Sequence, residues 1–305
     1  MASLQSRVLN FLLRVVRVKP LLEQKSIPLD RFFHPRPPAW IAQQCRLSEK
    51  TIGDRTVFRM EPLEGPGGKK ILYLHGGAYV NSFILPHWQF LVKLVNSANC
   101  TAIVPDYPLA PEHKFPAAFE MVLAVYQQLI QQTLADQVIL MGDSAGGGLC
   151  LALAQKLRDE GIPQPEQLIL LSPWLDITMT NPEIQNIERQ DPFLSLQGLI
   201  ESGIAYAGEA DPAGPMLSPI YGTFNGLPKI SLLIGTLDFL VADARKLQSI
   251  LASQDIAVNY CEYEDMIHDW MLLDIPEAED ALRQIIGLID SPFPNPPARP
   301  EPVSG

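Results

Sequence analysis

Short apolar runs alternate with longer amphipathic stretches along most of this chain. Runs at 71–74, 102–104, 137–141, 167–171, 230–234 and 257–263 are apolar with few breaks and predict buried strands. Helical spacing fills the gaps between them, near 87–98, 117–131, 147–160, 242–253 and 278–289. Such alternation predicts an α/β protein whose parallel sheet is covered by helices on both faces. Ahead of it, 46–52 and 55–60 read as an antiparallel hairpin around Gly53-Asp54, and 64–68 as a turn. One interval, 171–229, has no strand but two helical candidates, 182–189 and 195–207. It predicts an insertion at the carboxyl end of a strand, where α/β proteins build sites.

The first residues follow another pattern. Val8, Leu9, Phe11, Leu12, Val15 and Val16 are interrupted by Arg7, Arg14 and Arg17. A signal peptide has an unbroken apolar centre, so this segment reads instead as an amphipathic helix over 4–18, ended before Pro20. Val8, Leu12 and Val15 are expected to pack inward against a cap; weak contact with an anionic membrane surface is the alternative. Residues 21–45, rich in proline and aromatics (Pro28, Phe32, Phe33, Pro35, Pro37, Pro38, Trp40), read as an irregular covering segment. The expected organisation is an N-terminal cap segment over 1–45 and a catalytic domain over 46–290 carrying a cap insertion at about 176–215. A proline-rich tail over 291–305 is expected to be disordered.

Composition narrows the class. With 305 residues, 47% of them hydrophobic, the chain can bury one large core. No apolar stretch reaches the length of about eighteen residues that a membrane span needs. The formal charge of −11 argues against a nucleic-acid partner. Cys45, Cys100, Cys150 and Cys261 are too scattered for a zinc site or redox pair, and free thiols fit a cytoplasmic protein.

The chemistry concentrates at Gly142-Asp143-Ser144-Ala145-Gly146-Gly147, between a predicted strand and a predicted helix. Glycines around one serine allow a turn tight enough to push its hydroxyl out of the backbone, at the positive end of a helix. A phosphate-cradling loop of Walker type needs a lysine that is not here. Ser144 is therefore the expected nucleophile. A serine needs a base, and the base an orienting group. Of the five histidines, only His268 lies beyond Ser144, just past the last strand. Asp238, the first carboxylate after the strand 230–234, is the expected orienting acid; Asp243 is the rival. Glu264, Asp265 and Asp269 are so near His268 in sequence that only an unusual turn would present one to it. Backbone N–H groups for an oxyanion are expected from Ala145 and from the loop His75-Gly76-Gly77-Ala78-Tyr79.

These blocks carry a family resemblance. His75-Gly76-Gly77-Ala78-Tyr79, the segment around Ser144, Asp106-Tyr107-Pro108-Leu109-Ala110-Pro111-Glu112-His113 and Ser172-Pro173-Trp174-Leu175-Asp176 resemble, in order, those of hormone-sensitive-lipase-like esterases. The resemblance, over about 70–290, implies an eight-stranded, mostly parallel α/β-hydrolase sheet with a helical cap. It also implies carboxylester hydrolysis by Ser144, Asp238 and His268. Gly77, Ala78 and Ala145 would serve the oxyanion, with Gly76 shaping the turn and His75 supporting the loop. Ala78 stands where the family has a third glycine, and Pro108 where it has arginine. The implied partner is a small ester, with neither cofactor nor metal; dimers through a sheet edge are permitted. Two alternatives are a non-catalytic ligand-binding protein on this scaffold and an amide hydrolase. Aromatics expected near an apolar acyl site are Phe32, Phe33, Trp40, Tyr79, Phe83, Trp174 and Phe193. With surroundings that shift His268 little, activity is expected to rise through a pKa near about 6.5.

Overall fold

The computed structural model describes residues 2–16 and 33–291. The expectations for Pro28, Phe32 and the tail beyond Ser291 lie outside them. Eight strands form one sheet: β1 Arg46–Ile52, β2 Arg55–Glu61, β3 Lys70–Leu74, β4 Thr101–Pro105, β5 Val138–Asp143, β6 Gln167–Leu171, β7 Lys229–Gly235 and β8 Val258–Tyr263. Their order is β1-β2-β4-β3-β5-β6-β7-β8. β2 runs antiparallel to both β1 and β4, and every other pairing is parallel. The predicted strands are all present, shifted by a residue or two at their ends.

Strands β4, β5 and β6 are buried along their whole length, which is why their sequences are apolar on both faces. The alternation of side chains divides them between two cores. Leu72, Leu74, Leu140, Leu168, Leu170 and Leu232 face one core, with α3 (Phe115–Ile130), α4 (Ser144–Asp159) and α7 (Val241–Ser253). Ile71, Tyr73, Ile139, Met141, Ile169 and Leu171 face the other, with α2 (Leu85–Ser97) and α8 (Pro276–Asp290). β1 is a mostly exposed edge, and its Arg46, Glu49 and Lys50 discourage pairing with another sheet. Cys45, Cys100 and Cys150 are buried thiols, and Cys261 is half-buried.

The interval between β6 and β7 holds two α-helices, α5 (Ile184–Ile187) and α6 (Leu196–Ala207), and a 3-10 turn at Pro219–Tyr221. α5 is shorter than the predicted 182–189. Ser195 caps α6 by accepting the Gly198 N–H at 3.0 Å.

The N-terminal helix, α1 (Leu4–Val16), departs from expectation. Val8, Leu12 and Val15 face outward, in one stripe with Leu4 and Phe11. Ser6 is buried, and the half-buried Leu9 and Leu13 pack on the core. Polar bonds fix the helix: Ser3 and Ser6 donate to Glu277, Asn10 to the Asp265 carbonyl and Arg14 to the Gln190 carbonyl. No helix among the described residues is long and apolar enough to cross a membrane.

Two glycines test the packing from opposite sides. A Cβ at Gly146 would stand 1.9 Å from the Leu74 carbonyl oxygen, whereas one at Gly287, exposed in α8, would meet nothing within 4 Å. Gly146→Ala is expected to cost more than about 3 kcal/mol or to prevent folding. Gly287→Ala should stabilise the protein by roughly 0.5–1 kcal/mol, because the unfolded chain loses freedom. Thermal denaturation of the two variants checks both signs.

Candidate active site

β5 ends at Asp143 and α4 begins at Ser144, so the turn between them has no spare residue. Ser144 sits in the left-handed region, at φ +50°. That conformation costs a non-glycine residue about 1–2 kcal/mol and is held here by packing on both sides. A Cβ on Gly142 would lie 2.6 Å from the Gly146 carbonyl carbon, so the backbones on either side of Ser144 nearly touch. This close approach explains the small residues around the serine.

Two loops bring partners to it. After β7 the chain turns so that Asp238 Oδ1 accepts the Leu240 N–H at 2.9 Å and Oδ2 lies 2.7 Å from His268 Nδ1. On the other side of the ring, His268 Nε2 lies 2.9 Å from Ser144 Oγ. All three residues are buried. Asp243, the rival acid, sits in the first turn of α7 and accepts from Asn181 at 2.8 Å; burial pushes its carboxyl up to about 6. It makes no contact with His268.

Asp269 does. Its backbone is left-handed, at φ +51°, and this unusual turn swings its Oδ2 to 3.1 Å from His268 Nε2, the nitrogen that faces Ser144. Sequence reasoning set Asp269 aside because adjacent residues rarely face each other; no signal in the sequence marks the exception. Burial alone would lower His268. The carboxylates of Asp269 and Asp238 outweigh it and hold the imidazole well above its ordinary value. The expectation of a pKa near 6.5 is therefore revised upward.

Beneath the serine lies a second cluster. Asp143, fully buried, accepts from the Tyr73 hydroxyl, from the Gly76 N–H at 2.9 Å and from His87 Nε2 at 3.0 Å. His87 Nδ1 accepts the Ile84 N–H at 3.0 Å, so its Nε2 carries the proton that Asp143 receives. Burial alone would raise Asp143; His87 and Tyr73 outweigh it and hold the carboxyl below the usual range. Sequence reasoning gave Tyr73 and His87 no role, since only the folding of β3 and α2 against β5 brings them together.

The glycine loop rests on this cluster. His75 Nδ1 lies 2.6 Å from the Gly76 carbonyl, and its ring stacks on Tyr107 at 4.4 Å. Burial drives His75 down to about 3, so it stays neutral. The Gly76 N–H, bonded to Asp143, is not available to an oxyanion. The Gly77 and Ala78 N–H groups have no partner among the described residues, and Ala145 lies in the first turn of α4, where the helix offers its N–H no acceptor. Gly77 at φ +117°, Ala78 at +54° and Tyr79 at +62° give the loop its sharp course.

Of the aromatics expected near an acyl pocket, Phe193 alone among the described residues shows a ring contact with a triad side chain, its ring 6.3 Å from that of His268. Tyr79 stacks on Tyr206 and Trp174, and Phe83 packs on His75 and Trp88, all within the core. Trp40 lines a surface hollow with Phe90 and Leu282. Phe193 is placed by Asp191, whose Oδ1 accepts from the N–H groups of Phe193 and Leu194, at 2.7 and 2.9 Å. Its Oδ2 accepts from Phe239, next to Asp238, at 3.2 Å. Among the described residues no group of three or more His, Cys, Asp or Glu is arranged to hold a metal ion.

Residues 71–272 match the model of a family described as having the alpha/beta hydrolase fold. LipR of Mycobacterium tuberculosis, provisionally named an acetyl-hydrolase, is 35% identical over 247 residues, 79% of each chain. An esterase of Acinetobacter venetianus is 31% identical over 220 residues, 70% of this chain and 72% of its own. The solved structure of EstE7, a hormone-sensitive-lipase homologue from a metagenome library, superposes with a TM-score of 0.82 at 28% identity. It covers 94% of this chain and 98% of its own. The chain belongs to the α/β-hydrolase fold family, in its hormone-sensitive-lipase-like branch, and is a carboxylic ester hydrolase.

The buried Asp143–His87 pair generates one prediction. His87→Ala strands an ionised carboxylate and should cost about 3–5 kcal/mol, read as a fall in denaturation midpoint. His268 generates another: the acid limb of kcat/KM should lie above pH 6.5, the base being freed only as pH rises through its elevated value. A limb at or below 6.5 contradicts the electrostatics described here.

Proposed function

We propose that the protein hydrolyses esters of short to medium acyl chains through an acyl-enzyme on Ser144. The observation that carries this is the unbroken contact from Asp238 Oδ2 through both nitrogens of His268 to Ser144 Oγ, at 2.7 and 2.9 Å. His268 Nε2 takes the serine proton as Oγ attacks the ester carbonyl carbon. The carbonyl oxygen gains the negative charge and accepts from the N–H groups of Gly77, Ala78 and Ala145. The intermediate collapses, the C–O bond to the alcohol breaks, and the leaving oxygen takes the proton from Nε2. Water then repeats the sequence on the acyl group, with His268 again as base. Asp238 fixes the tautomer that leaves Nε2 free to accept.

Three features favour small substrates. Phe193 stands beside the histidine. The Ala78 methyl narrows the oxyanion loop and disfavours crowded tertiary alcohols. The acetyl-hydrolase name of LipR points the same way. A cap made by the N-terminal residues and the interval 176–215 is supported by two sets of bonds. Asn10 and Arg14 reach the loops of Asp265 and Gln190, and Asp191 reaches the Asp238 loop.

Ser144→Ala should abolish turnover of p-nitrophenyl esters with the fold intact, and an alkyl phosphonate should label Ser144. Asp238→Asn should reduce turnover by on the order of 10⁴, while Asp243→Asn stays mild. Labelling of another serine, or an active Ser144→Ala, defeats the proposal. Across a graded series of acyl lengths, rates should peak at short to medium chains, without a jump at the solubility limit of a long-chain ester. Such a jump would favour a lipase acting at interfaces.

A further inference from the structure

The second carboxylate on His268 is unaccounted for by the hydrolytic cycle. Asp269 Oδ2 lies 3.1 Å from Nε2, beside the Ser144 oxygen at 2.9 Å. Its other oxygen, Oδ1, is buried with no hydrogen-bond partner, and its backbone is held at φ +51°. Its N–H donates to Ser172 Oγ at 3.2 Å. An acid kept only to shape the turn would satisfy its own oxygens, and glycine would suit the backbone better.

Counting protons gives the arrangement a meaning. A neutral imidazole has one N–H, and the Nδ1 position faces Asp238 at 2.7 Å. Nε2 then presents a lone pair, which can accept from the serine hydroxyl. An ionised Asp269 offers only lone pairs to the same nitrogen, so the two repel. One added proton removes the conflict. It sits on Nε2 and is attracted to Oδ2, or sits on Oδ2 and is donated to Nε2. In either place it occupies the lone pair that must receive the serine proton.

We infer that Asp269 is a positioning residue for the proton of His268: it stores a proton against Nε2 in the resting site and switches the esterase on as that proton leaves. This rests on the serine mechanism proposed above. Once Ser144 attacks, its proton occupies the same place between His268 and Asp269, so the imidazolium is held by a carboxylate on each side.

The other groups acting on Asp269 come from four elements. Asp143 at the end of β5 and Asp238 after β7 oppose its ionisation, as does its burial; His268 favours it. His87 on α2 and Tyr73 on β3 feel its charge in turn. Burial is the largest of these influences and leaves the Asp269 carboxyl raised, to about 6. All of these neighbours are retained when Asp269 alone is changed.

The test uses Asp269→Asn, isosteric and uncharged, and Asp269→Gly, which suits the left-handed backbone. For both, the acid limb of kcat/KM should move to lower pH by about one unit, a shift typical of losing one close carboxylate. Below the limb, relative activity should rise about tenfold. The His268 imidazole, followed by NMR in the same two variants, should titrate lower by a similar amount. An unmoved limb together with an unmoved His268 titration overturns the inference, and so does a shift to higher pH. Ser144→Ala separates the two proposals. If it stays active the serine reading fails, and the NMR titration still decides whether Asp269 holds the proton. If it is inactive while both profiles stay put, only the role of Asp269 fails.

Discussion

Asp143 is an ionised carboxylate with no access to water, at the carboxyl end of central strand β5. Its oxygens are satisfied by three donors from three places: Tyr73 on β3, the Gly76 N–H after β3, and His87 on α2. A buried charge of this kind is tolerated only when paired and hydrogen-bonded. The requirement works in both directions. The donors hold the carboxylate, and the carboxylate holds the glycine loop next to the serine that follows it in sequence. Removing it would leave the Tyr73 hydroxyl, the Gly76 N–H and His87 Nε2 without their common acceptor.

Three buried histidines lie around this centre, and their surroundings shift them in different directions. His75 is packed between Tyr107 and Phe83, and burial keeps it neutral. Burial also opposes charge on His87 and His268. Each has a carboxylate in contact, and the attraction exceeds the desolvation cost, so both are raised. One side chain thus serves as a spacer, a hydrogen-bond donor and a base. What separates the roles is the number of carboxylates within hydrogen-bonding reach: none for His75, Asp143 for His87, and both Asp238 and Asp269 for His268.

The segments outside the sheet are attached through polar groups near the same residues. Asp191 spans from the Phe193 turn to the Asp238 loop, and α1 reaches Asp265 and Gln190. Anchoring by polar bonds is why α1 can leave Leu4, Val8, Phe11, Leu12 and Val15 facing outward. An apolar stripe at helical spacing in sequence shows that one face differs from the other. It does not show which face meets the protein.

Hydrophobic spacing by itself determined the strands, most helices and the interval 171–229 without a strand, because burial on both faces of a parallel sheet leaves a distinct pattern. The elbow around Ser144 was legible for a related reason: backbones at contact distance admit only glycine, as at Gly142 and Gly146. Chain order pointed to His268 and Asp238, and the structure sets His268 against Ser144 and Asp238 against His268. Tertiary structure alone decided the rest. Tyr73 and His87 meet Asp143 only because β3 and α2 pack on β5. The Gly76 N–H is taken by a carboxylate 67 residues away. Tyr79, Phe83 and Trp174 belong to the core, and Asp269 turns toward its neighbour through a single left-handed residue. Spacing along a chain records which side chains avoid water. It does not record which polar atoms close a given distance, and proton positions depend on those distances.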